Sequence, residues 1–282
     1  MPVRLNSYSI TEMLHLRQWF SCQNLEKWCV LLNPLRLAAA MMADWGMPLN
    51  RAHGELLTYR NRHKDGIGFL IGNGPSVRIE DLNQITGCPT FCCNRFYLAY
   101  PMMKFRPDYL ISGDKQMIAD FGREMLQKAD CPVWFCSFKN PNLDGNYSWV
   151  RSFGRRKFRF RDNLCDHIEP GGATLVAAAQ IGYWMGIRRF FLYGVDHSFT
   201  FQNAPKTKNV YQSAKGDGNH FIKNYRSGRP WCPPTKEDIE KGFRGSDAFL
   251  RSRGGWIKNA TRGGELEVLQ RVSFEEALEA SR

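Results

Sequence analysis

Asn73, Asn94, Asp196 and His220 are the residues of this chain whose types and settings best suit chemistry. Asn73 sits in the string Ile71-Gly72-Asn73-Gly74-Pro75-Ser76, at the end of the apolar run Ile67-Gly68-Phe69-Leu70-Ile71. A buried strand that breaks into a glycine-rich turn exposes backbone N–H groups to an anion, so phosphate is the first ligand to consider. The string is no P-loop, because no Gly-Lys-Ser/Thr follows it, and it lacks the three-glycine spacing of a dinucleotide fingerprint. Asn73 and Asn94 are short amides that can donate to phosphate or ribose oxygens without adding charge, or can simply close turns. His220, in Gly218-Asn219-His220-Phe221, suits a general base for a hydroxyl nucleophile, since an unperturbed imidazole titrates at about 6.5. Its plainer reading is an exposed loop histidine. Asp196 and His197 would begin a metal site only with a third ligand, and none stands at a recognisable spacing. Nor does the chain carry an Asp-x-Asp pair for a divalent ion, so neither metal nor cofactor is expected.

The elements that must position these residues follow from the apolar pattern. Ile67–Ile71, Thr90–Cys93, Tyr109–Ser112, Val133–Cys136 and Arg189–Tyr193 read as strands. Lys115–Ala129 and Ala173–Gly186 read as crossover helices, the second rich in small residues that allow a close approach to a sheet. This alternation predicts an α/β, Rossmann-like fold, a mostly parallel sheet with helices on both faces. Asn73, Asn94, Asp114 and Asp196 then each fall just past a strand, at the carboxyl ends where open α/β sheets bind ligands. Residues 1–60 are expected to form a helical N-terminal extension, with Asn33 capping a helix that begins at Pro34. Residues 61–282 are expected to form the main domain, with a lid-like loop over about 197–234 and helices at Thr235–Arg253 and Phe274–Ala280.

With 282 residues, 43% of them hydrophobic, the chain can bury a core. Nine cysteines without a Cys-x-x-Cys pair argue against a disulfide framework or a four-cysteine zinc site. No apolar stretch reaches the length of a membrane span and no signal-peptide order opens the chain, so a cytoplasmic protein is expected. A peripheral membrane contact through Leu31–Met42 is the weaker option. A formal charge of +12 implies an anionic partner. The densest basic stretch, Arg151–Arg161, interleaves aromatics with cations as a nucleic-acid surface would. Phe158 and Phe160 also alternate with Lys157, Arg159 and Arg161, as in a half-buried segment with one solvated face.

The order Ile-Gly-Asn-Gly-Pro-Ser (71–76), Cys-Asn-Arg-Phe-Tyr (93–97), Pro-Asp-Tyr (107–109), Gly-Gly-Ala-Thr-Leu (171–175), Tyr-Gly-Val-Asp-His (193–197), Asn-His-Phe (219–221) and Lys-Asn-Ala-Thr (258–261) resembles one superfamily. It comprises the metal-independent bacterial sialyltransferases, the motility accessory factor glycosyltransferases of flagellin and the archaeal 6-hydroxymethylpterin diphosphokinases. The resemblance spans roughly residues 66 to 275, and it is the order of seven motifs that makes it specific.

The resemblance implies a transferase that moves a sugar from a CMP-sugar-like nucleotide donor to a hydroxyl on a glycan, protein or other polymer, inverting and without metal. It implies that Gly72, Asn73, Gly74, Pro75, Ser76, Asn94, Gly171, Gly172 and Asp196 bind the nucleotide and its phosphate, with His220 as base. Arg95, Asp114, His197, Tyr211 and Tyr225 are further candidate substrate contacts. The sialyltransferases stabilise the leaving phosphate with tyrosines after the Gly-Val-Asp-like segment, where this chain reads Asp196-His197-Ser198-Phe199. Tyr211, Tyr225, Lys206 or Lys208 are the candidates to replace them. Their Thr-Ser-Gly beside cytosine is here Pro170-Gly171-Gly172. The diphosphokinase branch is disfavoured, since of its acidic magnesium-binding set only Asp114 stands in place. A nucleic-acid-binding or nucleic-acid-modifying protein is the alternative from outside the superfamily, tested by the salt dependence of polynucleotide affinity.

Overall fold

The computed structural model describes residues 33–154, 157–199, 212–213, 218–231 and 234–282. Its strands are β1 (Ile67–Ile71), β2 (Thr90–Cys93), β3 (Tyr109–Ser112), β4 (Val133–Ser137), β5 (Ser148–Arg151), β6 (Arg189–Tyr193), β7 (Gln212–Ser213), β8 (Pro230–Trp231), β9 (Trp256–Asn259) and β10 (Gln270–Arg271). Eight of them form one sheet in the order β10-β9-β6-β1-β2-β3-β4-β5, while β7 and β8 make a separate antiparallel pair. Every pairing in the large sheet is parallel.

The central strands are nearly continuous apolar runs because both faces of a parallel sheet are covered. Side chains alternate between two cores. Leu70, Phe91, Ile111, Trp134 and Leu192 point to one, Phe69, Ile71, Leu110, Phe135 and Tyr193 to the other. The first core is closed by α1 (Pro34–Asp44), α2 (Arg51–Thr58), α5 (Thr174–Trp184) and α6 (Lys236–Arg251). The second is closed by α3 (Ile79–Leu82), the 3₁₀ turn Phe96–Met102, α4 (Lys115–Lys128) and α7 (Phe274–Ala280).

Helix α5 is apolar on nearly every side because it lies against β1, β2 and β3 and under α6. Its buried Gln180 is fully used: Oε1 accepts from the amides of Arg161 and Glu169, and Nε2 donates to the carbonyls of Glu169 and Val176. As the sequence predicts, Asn33 caps α1, its Oδ1 accepting from Leu35 N at 3.0 Å with Pro34 in the first turn. Among the described residues no helix is long and apolar enough to cross a membrane.

Chain order fixes where a ligand can sit. From β1 the sheet grows through β2, β3 and β4 to β5, then returns to place β6 on the other side of β1. The crevice beyond the carboxyl ends of β1 and β6 is therefore a topological switch point. Ile71 pairs with Tyr193 across it.

The basic stretch takes the half-buried form, without becoming a strand. Phe153 and Phe160 are buried and Phe158 packs against the first core, while Lys157 and Arg159 face solvent. Phe160 stacks on Phe249 at 4.5 Å and Phe153 on His167 at 4.1 Å, so these rings are not offered to bases. Arg161 pairs with the buried Glu169 at 3.0 Å, and Arg151 donates to the Phe138 carbonyl. Arg155 and Arg156 lie outside the described residues.

Candidate active site

The glycine-rich turn after β1 is locked onto the end of β6. Gly72 N–H donates to the Tyr193 carbonyl at 2.8 Å and Gly74 N–H to the Gly194 carbonyl at 2.9 Å. The Asp196 carboxylate accepts from both Ser76 Oγ, at 2.8 Å, and Ser76 N–H, at 3.3 Å. A side chain at position 74 would run into that carboxylate, which is why glycine stands there. The anion cradle expected from Gly74-Pro75-Ser76 is thus corrected. Proline has no N–H, and the two neighbouring donors are already spent on protein acceptors. Asp196 acts as the latch of the turn.

Beside the latch, two asparagines and a tyrosine form one buried cluster. Asn73 Nδ2 donates to the Cys93 carbonyl at 2.9 Å and to the Tyr225 hydroxyl at 3.0 Å, while the Asn73 carbonyl accepts from Phe221 N–H at 3.0 Å. Since a carbonyl only accepts, this orients the amide and leaves Oδ1, buried, without a partner among the described residues. Asn94, in the left-handed region at φ 55°, accepts from Ser112 Oγ at 2.8 Å, and its side chain also meets the Tyr225 hydroxyl. The Tyr225 ring lies flat on the His220 imidazole, with centroids 3.8 Å apart and planes 16° apart. Burial holds the Tyr225 phenol far above its ordinary range, so it stays a neutral hydroxyl. Burial likewise pushes the Cys93 thiol up to about 12, which removes it as a nucleophile.

These groups line a cleft of about 820 Å³, counting the solvent at its mouth. Gly72, Asn73, Gly74 and Asn94 form one wall, His220, Tyr225 and Asn219 another, and Asp196, His197, Ser198 and Phe199 a third. Ala173, Thr174 and Leu175, at the start of α5, and Ile239 and Phe243 of α6 complete it. Asp114 also reaches the cleft, and its Oδ1 caps α4 by accepting from Gln116 N and Met117 N. No cluster of three or more His, Cys, Asp or Glu suited to a metal occurs among the described residues.

Several expected contacts do other work. Gly171 and Gly172 lie behind the cleft wall, both at positive φ, where a Cβ on Gly172 would collide with the backbone of Asp238 and Ile239. They let α5 start directly against α6. Arg95 does not line the cleft; it is buried under the segment that carries Tyr225. Its guanidinium donates to the Tyr225 carbonyl at 2.6 Å, the Asn224 carbonyl at 3.2 Å and Ser227 Oγ at 3.0 Å, and pairs with Glu124 at 3.1 Å. Of the expected lid, Lys206, Lys208 and Tyr211 lie outside the described residues. Glu240, which the sequence did not single out, accepts from His197 Nε2 at 3.1 Å. Nothing local marks it, since it is one of several acids in α6.

Fold and cleft together define an α/β protein with a candidate ligand cleft at a topological switch point. No family model and no curated protein matches the chain. Among solved structures it is similar to a MAf glycosyltransferase from Magnetospirillum magneticum AMB-1, with a TM-score of 0.48 and 13% identity over 83% of this chain. The match spans 42% of that protein, so the chain covers less than half its length. It is also similar to the sialyltransferase CstII from Campylobacter jejuni in complex with cytidine-5'-monophosphate, with a TM-score of 0.39 and 15% identity over 74% of this chain and 88% of that one. The same sialyltransferase in complex with CMP-3FNeuAc matches with a TM-score of 0.35 and 13% identity, over 70% and 80% of the two chains.

Proposed function

We propose that this chain is an inverting glycosyltransferase that moves a sugar from a nucleotide-activated, CMP-sugar-like donor to an acceptor hydroxyl on a glycan or other polymer. The observation that carries the proposal is the meeting of Asn73, Asn94 and His220, drawn from three separate motifs of the resemblance, around one switch-point cleft. His220 takes the proton of the acceptor hydroxyl as that oxygen attacks the anomeric carbon, and the nucleotide leaves from the opposite face. Stacking on Tyr225 holds the imidazole plane. One displacement inverts the anomeric centre. Residues 61–282 would form the catalytic unit.

The test combines binding and turnover. A thermal-shift panel of CMP, UMP, GMP and AMP, with and without magnesium or EDTA, should give one preferred nucleotide whose effect does not need the metal. Transfer from the matching sugar nucleotide should vanish in His220→Ala while nucleotide binding persists. Near-normal transfer by that variant would remove the base, and silence across the whole panel would remove the donor.

A further inference from the structure

The cleft presents a problem of charge. No lysine or arginine stands among its described lining residues, and in the turn that looked made for phosphate the amides of Gly72, Gly74 and Ser76 are spent on protein acceptors. What remains is on the side of the cleft that carries Asp196 and His197. His197 is 4% exposed and lines the cleft, with Nε2 on Glu240 Oε1 at 3.1 Å and Nδ1 buried without a partner among the described residues. A buried polar nitrogen left empty is costly unless something occupies it, which makes it a pointer to a ligand.

Three further features belong to the same wall. His197 sits in the left-handed region at φ 57°, which histidine enters more readily than most side chains, while the carbonyl of Asp196 is fixed by Glu265 N–H at 2.7 Å. Helix α5 starts beside it at Ala173, with no side chain capping its first amides. Gly171 and Gly172 press that start onto α6 at Asp238, Ile239 and Gly242, next to Glu240. The charged groups around the ring are Glu240, Glu265 with its partner Lys236, and Asp196, which is held by Ser76.

We infer that His197, oriented by Glu240, is the group that receives the leaving phosphate, donating from Nδ1 while the first amides of α5 face the same anion. This rests on the glycosyltransferase reading above. As the bond between the anomeric carbon and the phosphate oxygen breaks, the electron pair stays on that oxygen. The acceptor oxygen bonds to the carbon and its proton passes to His220. The His197 ring hydrogen-bonds the phosphate from Nδ1 on one side and Glu240 through Nε2 on the other, and passes no proton in the step.

The test uses nucleoside monophosphates against their nucleosides, so that only recognition of the phosphate is read. With the wild-type chain, CMP should bind more tightly than cytidine, or the corresponding pair for whichever base the panel prefers. His197→Asn keeps a residue tolerant of positive φ, and Glu240→Gln leaves the ring in place. Both should cut the affinity for the monophosphate about 10- to 100-fold and leave that for the nucleoside unchanged. Thermal unfolding of the free variants checks their fold. An unchanged monophosphate-to-nucleoside ratio in both variants overturns the inference while the donor reading stands, and would mean a bare Nδ1 that accepts from a hydroxyl instead. If the wild-type chain binds no monophosphate, the donor reading falls and this inference with it.

Discussion

The Tyr225 ring lies face to face with the His220 imidazole at 3.8 Å, and its hydroxyl reaches Asn73 at 3.0 Å. One side chain therefore couples the candidate base to the amide that closes the turn after β1. The two functions can be separated by mutation. Tyr225→Phe keeps the stack and loses the hydroxyl, so stability should fall by about 1 kcal/mol with transfer little changed. Tyr225→Ala removes the stack and should lower kcat by about a hundredfold, since misplacing a catalytic group by a fraction of its reach costs on that scale. Equal losses of transfer in the two variants would refute this division of roles.

Arg95 is the support beneath that stack. It holds the carbonyls of Asn224 and Tyr225 and lies over the Phe121 ring at 3.9 Å. Arg95→Met leaves Glu124 without its buried partner and frees the backbone of 224–227. Stability in urea should drop by about 3 kcal/mol. Hydrogen exchange should rise first in 219–227 rather than across the sheet. Uniform protection in the variant would mean that the segment is held by other contacts.

The sheet was legible because its central strands are short apolar runs bounded by turn residues, and because α4 shows helical periodicity while α5 is a long run of small and apolar residues. The outer strands were not. Ser148-Trp149-Val150-Arg151 alternates polar and apolar residues, and Trp256–Asn259 is pinned by Asp247 Oδ1, which accepts from Ile257 N at 2.8 Å. Within the cleft, residue types were readable but their commitments were not. Asp196 looked like a ligand contact because it follows a strand; that its carboxylate closes on Ser76 depends on a register between β1 and β6 that no local pattern encodes. Arg95 and Glu240 were misjudged or missed for the same reason, as their partners come from distant segments.

The latch makes a sharp prediction about position 74. Gly74→Ala puts a methyl group into the Asp196 carboxylate and close to the Gly194 carbonyl, and should destabilise the fold by about 3 kcal/mol, the upper range for overpacking. In an Asp196→Ala background part of that clash is gone. The cost of the same substitution should then be smaller, a coupling read from a double-mutant cycle in urea. Strict additivity would mean that the turn moves away from Asp196 without resistance.

Asp166 provides the pH test. Burial would raise its carboxyl, but hydrogen bonds from His167 and Arg36 outweigh burial and hold it at about 2, below its ordinary 3.8. Through this carboxylate α1 is tied to the chain that follows the basic stretch, with His167 Nδ1 at 2.9 Å and the ring stacked on Phe153. A carboxyl whose folded pKa is depressed adds stability that is fully present above the unfolded value and is lost as pH falls through the folded one. The contribution, on the order of 2 kcal/mol, should be complete at pH 6 and about half gone at pH 3. Asp166→Asn cannot titrate there, so the stability gap between wild type and variant should narrow steadily from pH 5 downward. Urea midpoints measured across that range decide the matter, and a gap that stays constant to pH 3 would show that the Arg36–Asp166–His167 cluster does not hold the charge as described.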